Sequence, residues 1–211
     1  MLDTLRKLCE EQVRDLFNAE TQLSKALPRM AKAATNPRLR SALAAHLEET
    51  QDHITRLRQI AEMLDIKPGG KKCKAMEGLI AEGKEVLAEK ETSDHRAVID
   101  LALIAAAQRI EHYEIAAYSS AAAMAHRLGE LKSHALLRQT LEDEKGAVKV
   151  LTAISESEVL NAAARTGTDE DQVEAVVDDT QGEENRNLHP SGRLPLRSGA
   201  MATARALVKA Q

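Results

Sequence analysis

Apolar residues recur at intervals of three and four along most of the chain up to about residue 155, and no segment alternates with the period of a strand. Leu2, Cys9, Val13, Leu16, Phe17, Leu23 and Leu27 make one stripe. It predicts a first helix from about Asp3 to Ala33, with Pro28 kinking the last turns. Asn36-Pro37 is a start signal, a side-chain cap followed by a ring suited to the first helical position. Leu39, Leu43, Leu47, Ile54, Leu57 and Ile60 then carry a second helix to about Leu64. DIKPGGKKC, 65–73, breaks the pattern, and a shorter amphipathic segment, AMEGLIAEGKEVLAE, follows it. TSD at 92–94 reads as the cap of a third long helix ending near Leu128. After Gly129 a fourth runs from about Glu130 to Ser155 or slightly beyond. Two helices, a crossover of about thirty residues, and two more helices predict an all-α four-helix bundle. Its one long connection contains a short fifth helix.

The bundle accounts for residues 1–164. From 165 to 211 the pattern changes: eight acidic residues fall between Asp169 and Glu184, after which only basic ones remain, Arg186, Arg193, Arg197, Arg205 and Lys209. Segregated charge without an apolar stripe predicts a flexible tail, or a segment that docks a protein partner through SGRLPLRSG. With one Phe, two Tyr and no Trp, the 43% hydrophobic content rests on Ala, Leu, Ile and Val, the mixture of long packed helices. A net charge of −4 with no basic, aromatic-studded stripe excludes nucleic acid as the expected partner. No apolar run approaches the ~20 residues of a membrane span, and the first residues do not read as a secretory signal. Cys9 and Cys73 stand alone, which predicts two ordinary buried thiols in a reducing, cytoplasmic setting.

The chemistry lies in QRIEHYEIAAY, 108–118. At 100° per residue, Ile104 lies about 20° from Glu111, Ile115 about 40° and Tyr118 about −20°, so Glu111 sits at the centre of the apolar face. Glu114 lies on the same side, about 60° away. His112, about 100° off, falls at the boundary. On the first helix, Glu20 is central among Val13, Leu16 and Leu27; on the fourth, Glu144 lies among Leu137, Thr140, Leu141, Val148 and Leu151, while Glu142 and Asp143 point elsewhere. The second helix centres its apolar face near Thr50, with His46 and His53 on it, Glu49 at its flank and Glu48 turned away. A bare buried carboxylate is costly, so each must be paired, protonated or bound to metal. Glu20, Glu49, Glu111, Glu114 and Glu144, with no inward Lys or Arg at their level, would repel one another severely. A pair of divalent cations removes that cost, and carboxylates with imidazole from His53 or His46 suit iron or manganese.

Glu20 alone, Glu49 with a nearby His, Glu111-x-x-Glu114 and Glu144 resemble the ligand order of ferritin-like di-iron carboxylate proteins, rubrerythrin in particular. More closely, NAETQLSKALPRMAKAA, HLEET, KKCKAMEGLI, ALIAAAQRIEHYEIAAY and QTLEDEK resemble the YciE/YciF-type stress-response ferritin-like family, in order over about residues 3–155. The resemblance implies a ferritin-like bundle, a homodimer and a role in bacterial stress responses. It carries no defined reaction. Two departures from the fuller di-iron pattern stand out: Ala147 where a His is expected three residues after Glu144, and Glu49-x-x-Asp52 with His53 one place late. Leu43 and Leu47, placed well away from Glu49, also suggest surplus apolar surface for a second subunit.

Two functions compete on these grounds. One is a di-metal protein that binds iron and reacts it with oxygen or peroxide, a ferroxidase or peroxide-scavenging activity. In that reading Glu111 and either Glu49 or Glu144 bridge the ions. The other is a non-catalytic bundle whose buried acids are protonated or hydrogen-bonded and which acts through protein association.

Overall fold

The computed structural model describes residues 3–90 and 93–165, and within them only helices and their connections. Helix α1, Leu5–Ala33, starts where the Thr4 hydroxyl accepts the Lys7 backbone N–H and runs through Pro28. Helix α2, Pro37–Met63, starts as its sequence predicts: the Asn36 side chain accepts from the Arg38 and Leu39 N–H groups, and Pro37 occupies the first position. α2 ends with Asp65 at φ 55, Asp65 N–H reaching Glu62 O and Ile66 N–H reaching Ala61 O. This turn satisfies the last carbonyls. Gly129, at φ 75, ends helix α4 (Arg96–Arg127) in the same way, a backbone that favours a residue without Cβ.

Helix α3, Lys74–Glu89, is the short helix of the crossover, lying against α1 and α4. It is pinned at its start by Asn18 and Gln22 of α1. Asn18 Oδ1 accepts the Cys73 N–H at 2.8 Å and Gln22 Nε2 donates to the Cys73 carbonyl at 3.0 Å. The cap of α4 differs from the TSD expectation: the capping position is His95, and the Ser93 hydroxyl accepts the His95 N–H instead of a helical one. Helix α5, Leu131–Ile154, continues through a π-helical turn, Ser155–Val159, into the short helix α6, Leu160–Arg165. The helical run therefore reaches about ten residues past the predicted end.

α1 packs on α2 and α4 on α5, and the two pairs join through α1–α4 and α2–α5 contacts, giving a ferritin-like four-helix bundle. Asp100 of α4 ties the α1–α2 turn down. Its carboxylate accepts the Thr35 N–H at 2.7 Å, the Thr35 hydroxyl at 2.6 Å and the Asn36 N–H at 2.7 Å. Two apolar clusters fill the interior. One contains Leu23, Leu27, Leu39, Leu43, Leu103 and Ile110; the other contains Val13, Leu16, Leu57, Ile60, Tyr118 and Leu137. Leu43, buried, and Leu47, partly buried, which were examples of surplus apolar surface, pack against the first of these clusters. Cys9 and Cys73 are free and buried as expected, but Cys73 is not merely apolar: its Sγ lies 2.9 Å from the Tyr113 hydroxyl, which donates to Asp15 at 2.6 Å. Among the described residues, no helix is long and apolar enough to cross a membrane. The charged segment read as a tail, from residue 166 on, lies outside the described residues.

Candidate metal centre

On each long helix of the bundle, the polar residues singled out above fall between the stretches that feed the two apolar clusters. Glu20 comes from α1, His46, Thr50 and His53 from α2, Glu111 and Glu114 from α4, and Glu144 from α5. All are buried, and Glu20, His53, Glu114 and Glu144 are 0% exposed. Helical periodicity is the cause: each acid shares its face with buried residues one turn away, Leu16 and Leu23 for Glu20, Ala107 for Glu111, Tyr118 for Glu114 and Leu141 for Glu144, so burying the stripe buries the acid.

The ligand atoms gather in two groups. His46, Glu111, Glu114 and Glu144 form one, Glu20, His53 and Glu144 the other, and within each group the atoms lie within 4.8 Å of one another. Glu144 belongs to both. His53 Nδ1 lies 3.0 Å from Glu144 Oε1 and 3.3 Å from Glu20 Oε1, whereas His46 Nε2 lies 3.2 Å from Glu111 Oε1 and 3.9 Å from Glu144 Oε2. Tyr118 donates its hydroxyl hydrogen to Glu20 Oε1 at 2.5 Å.

These short separations are mostly not hydrogen bonds. Ten buried side-chain atoms without a hydrogen-bond partner all belong to this layer, among the described residues: both oxygens of Glu114 and of Glu144, both nitrogens of His53, and one atom each of Glu20, His46, Thr50 and Glu111. A fold normally satisfies its buried polar groups, so ten orphans whose lone pairs converge are the pattern of a ligand cage. The donor chemistry agrees, since oxygen-rich sets with imidazole suit iron and manganese. The residues fit a metal.

Electrostatics shows how costly the layer is. Burial pushes the Glu20, Glu114 and Glu144 carboxyls above their usual range, and the mutual repulsion of the acids adds to it. Glu114 goes furthest above it, for it has neither imidazole nor hydroxyl to offset burial. Burial alone would pull the two imidazoles down. The carboxylates beside them win: His46 is raised well above its ordinary value by Glu111 and Glu49, and His53 is pushed up to about 10 by Glu144 and Glu20. The groups that can carry positive charge at this level are therefore the two imidazoles, not a Lys or Arg.

Of the residues nominated from sequence, Glu20, His46, His53, Glu111, Glu114 and Glu144 meet in the layer. Glu49 does not: its side chain is 51% exposed and touches the site only through His46 Nδ1, at 3.2 Å. Thr50, buried with an unpaired hydroxyl, occupies the central place on α2 instead. Its position at the middle of the apolar face was the available signal. Asp143, left to solvent by helical angle, in fact lies 3.4 Å from His53 Nε2 and 2.6 Å from Arg56 Nη1. Glu48 is exposed, as its angle implies, and His112, which its angle places at the boundary, is exposed as well.

Residues 4–164 match a family described as a domain of unknown function, DUF892. The protein YciF of Escherichia coli K12 is 43% identical over 155 residues, which span 73% of this chain and 92% of that protein. The crystal structure of the Escherichia coli stress protein YciF superposes with a TM-score of 0.70 at 41% identity, covering 77% of this chain and 99% of that one. YcfI of Rhodopseudomonas palustris gives a TM-score of 0.68 at 42% identity, over 72% of this chain and 94% of its own. A protein from Xanthomonas campestris, 21% identical, shares the fold with a TM-score of 0.62, covering 77% of this chain and 99% of that chain.

Proposed function

The chain belongs to the DUF892 family, with YciF among its relatives, and we propose that it is a di-metal carboxylate protein serving a stress response. The observation that carries this reading is the set of ten orphaned polar atoms in a buried layer spanning four helices, nine of them on the candidate ligands. His46, Glu111, Glu114 and Glu144 would hold one divalent ion, and Glu20, His53 and Glu144 the other. Glu144, rather than Glu49, then stands as the shared ligand. Iron bound there would supply electrons to oxygen or peroxide, so that both hazards are removed together. The protein's own part is to hold the ligands still. Tyr118 fixes one Glu20 oxygen, and the apolar clusters close the layer along the bundle on either side.

A second reading has one observation in its favour: the raised pKa values of His46 and His53 let the layer exist as imidazolium–carboxylate pairs in a bundle that works by association. It does not account for Glu114, whose two oxygens have no partner. Elemental analysis of protein purified with and without chelator, followed by oxygen uptake on adding Fe(II), separates the readings. Two equivalents of metal and oxygen consumption support the first; metal-free protein that consumes no oxygen supports the second.

A further inference from the structure

A cavity of about 330 Å³ opens between α2 and α5 directly above the layer. Its floor is His46 and Glu111, the buried carboxylate with an unpaired oxygen. Its rim carries Glu49, Glu142 and Asp143, and small residues, among them Ala45, Gly146 and Ala147, line it. The rim acids are not equivalent. Glu142 is bonded to Arg138 and Lys145, and Asp143 to Arg56 while lying 3.4 Å from His53 Nε2, whereas among the described residues Glu49 pairs with no cation but the His46 imidazole that leads inward. His46 thus stands between an exposed carboxylate at its Nδ1 and a buried one at its Nε2, each at 3.2 Å.

A chain of oxygen, nitrogen and oxygen donors from solvent to a cage is what a divalent cation needs if it is to shed water in stages. We infer that this cleft is the route by which divalent cations reach the centre, with Glu49 as the first carboxylate to hold them and His46 as the side chain between it and Glu111. The inference rests on the di-metal reading. It also gives Glu49 a part consistent with its exposure, a transient station rather than a resident ligand. Small residues at 146 and 147 keep the passage open; a Cβ added at Gly146 would meet nothing within 4 Å.

A route changes rates and leaves equilibria alone. Co(II) uptake by the whole chain, followed by stopped-flow absorbance, and its release to excess chelator report both. Glu49→Gln removes the outer charge, and Gly146→Leu, a substitution helices favour, obstructs the passage. Each should slow uptake and release together by about tenfold, the lower end of what charged clefts contribute to on-rates, with the two-ion end point and the affinity unchanged. Glu82→Gln, which removes an exposed acid of α3 bonded to Arg109, should move neither rate. Two-ion uptake with both rates unmoved in both variants overturns the route and leaves the di-metal reading standing. Faster release from Glu49→Gln with weakened affinity also overturns it, by making Glu49 a resident ligand. Wild-type protein that takes up no Co(II) overturns both.

Discussion

The two oxygens of Glu144 face two different imidazoles, Oε1 lying 3.0 Å from His53 Nδ1 and Oε2 3.9 Å from His46 Nε2. One side chain of α5 therefore belongs to both ligand groups, while Glu20 and Glu111 belong to one each. Removing the shared ligand should damage both sites, and removing an unshared one only its own. Calorimetric titration with Mn(II) is expected to give two sites for wild type, one for Glu20→Gln, one for Glu111→Gln, and none of comparable affinity for Glu144→Gln. Loss of a residue that merely orients a ligand costs about 10- to 100-fold in metal affinity, so loss of a ligand is enough to read the difference. Equal losses in all three variants would contradict the two-group arrangement.

Tyr118 is the neutral partner of a buried acid. Its hydroxyl donates to Glu20, and this bond favours the ionised carboxylate against burial. Tyr118→Phe should therefore push the Glu20 carboxyl higher still and weaken metal at the Glu20–His53 group, leaving the His46–Glu111 group untouched. The titration above would show one affinity lowered, with the deficit largest at mildly acid pH. An unchanged isotherm at that pH would mean that the hydroxyl serves packing only.

The acids of the layer were legible in the sequence because a helix fixes angles: Glu20, Glu111 and Glu144 share their faces with leucines and isoleucines, and burial of the stripe follows. Helix two was less legible, since its apolar face is interrupted by His46, Thr50 and His53, and a flanking acid, Glu49, resembles a ligand on spacing alone. Only the partners across the bundle show that it faces outward. Asp143 and Arg56 escaped for a different reason: they meet from elements 87 residues apart, a relation no local period contains. The same holds for Asp100, whose three donors lie 64 and 65 residues away.

Asp100 provides a stability test that metal should not affect. It is 2% exposed and accepts three short hydrogen bonds that hold the α1–α2 turn to α4. Asp100→Ala leaves those donors without their acceptor, and bonds to a charged group are worth more than neutral ones, so a loss of roughly 2–4 kcal/mol is expected. Urea unfolding in excess chelator measures it. A loss under about 0.5 kcal/mol, the range of surface substitutions, would show that the turn is held by packing alone.

Protons and metal compete for the same atoms of the layer. An imidazole raised in the fold contributes stability that is full below its unfolded value near 6.5 and fades as pH rises toward about 10, as for His53. The raised carboxyls of Glu20, Glu114 and Glu144 act in the same sense, favouring the fold while protonated and opposing it once pH passes their elevated values. Metal-free protein should thus melt lower as pH is raised from about 6.5 toward 10. A bound cation replaces those protons and adds RT ln(1 + [L]/Kd), about 2.7 kcal/mol per site at a hundredfold excess over Kd. The gap in melting temperature between Mn(II) and chelator should widen with rising pH and close as pH falls. Glu114→Gln sharpens the test. Both Glu114 oxygens are unpaired and burial holds the group well above its ordinary range, so a neutral amide costs the metal-free fold little or stabilises it. Glu111→Gln is different, because it removes the negative charge that faces His46 Nε2 at 3.2 Å and should lower metal-free stability. Both variants should lose part of the metal-dependent gap. If Glu114→Gln instead destabilises the chelated protein as much as Glu111→Gln does, Glu114 has a proton-sharing partner in the layer and the cage is held together without metal.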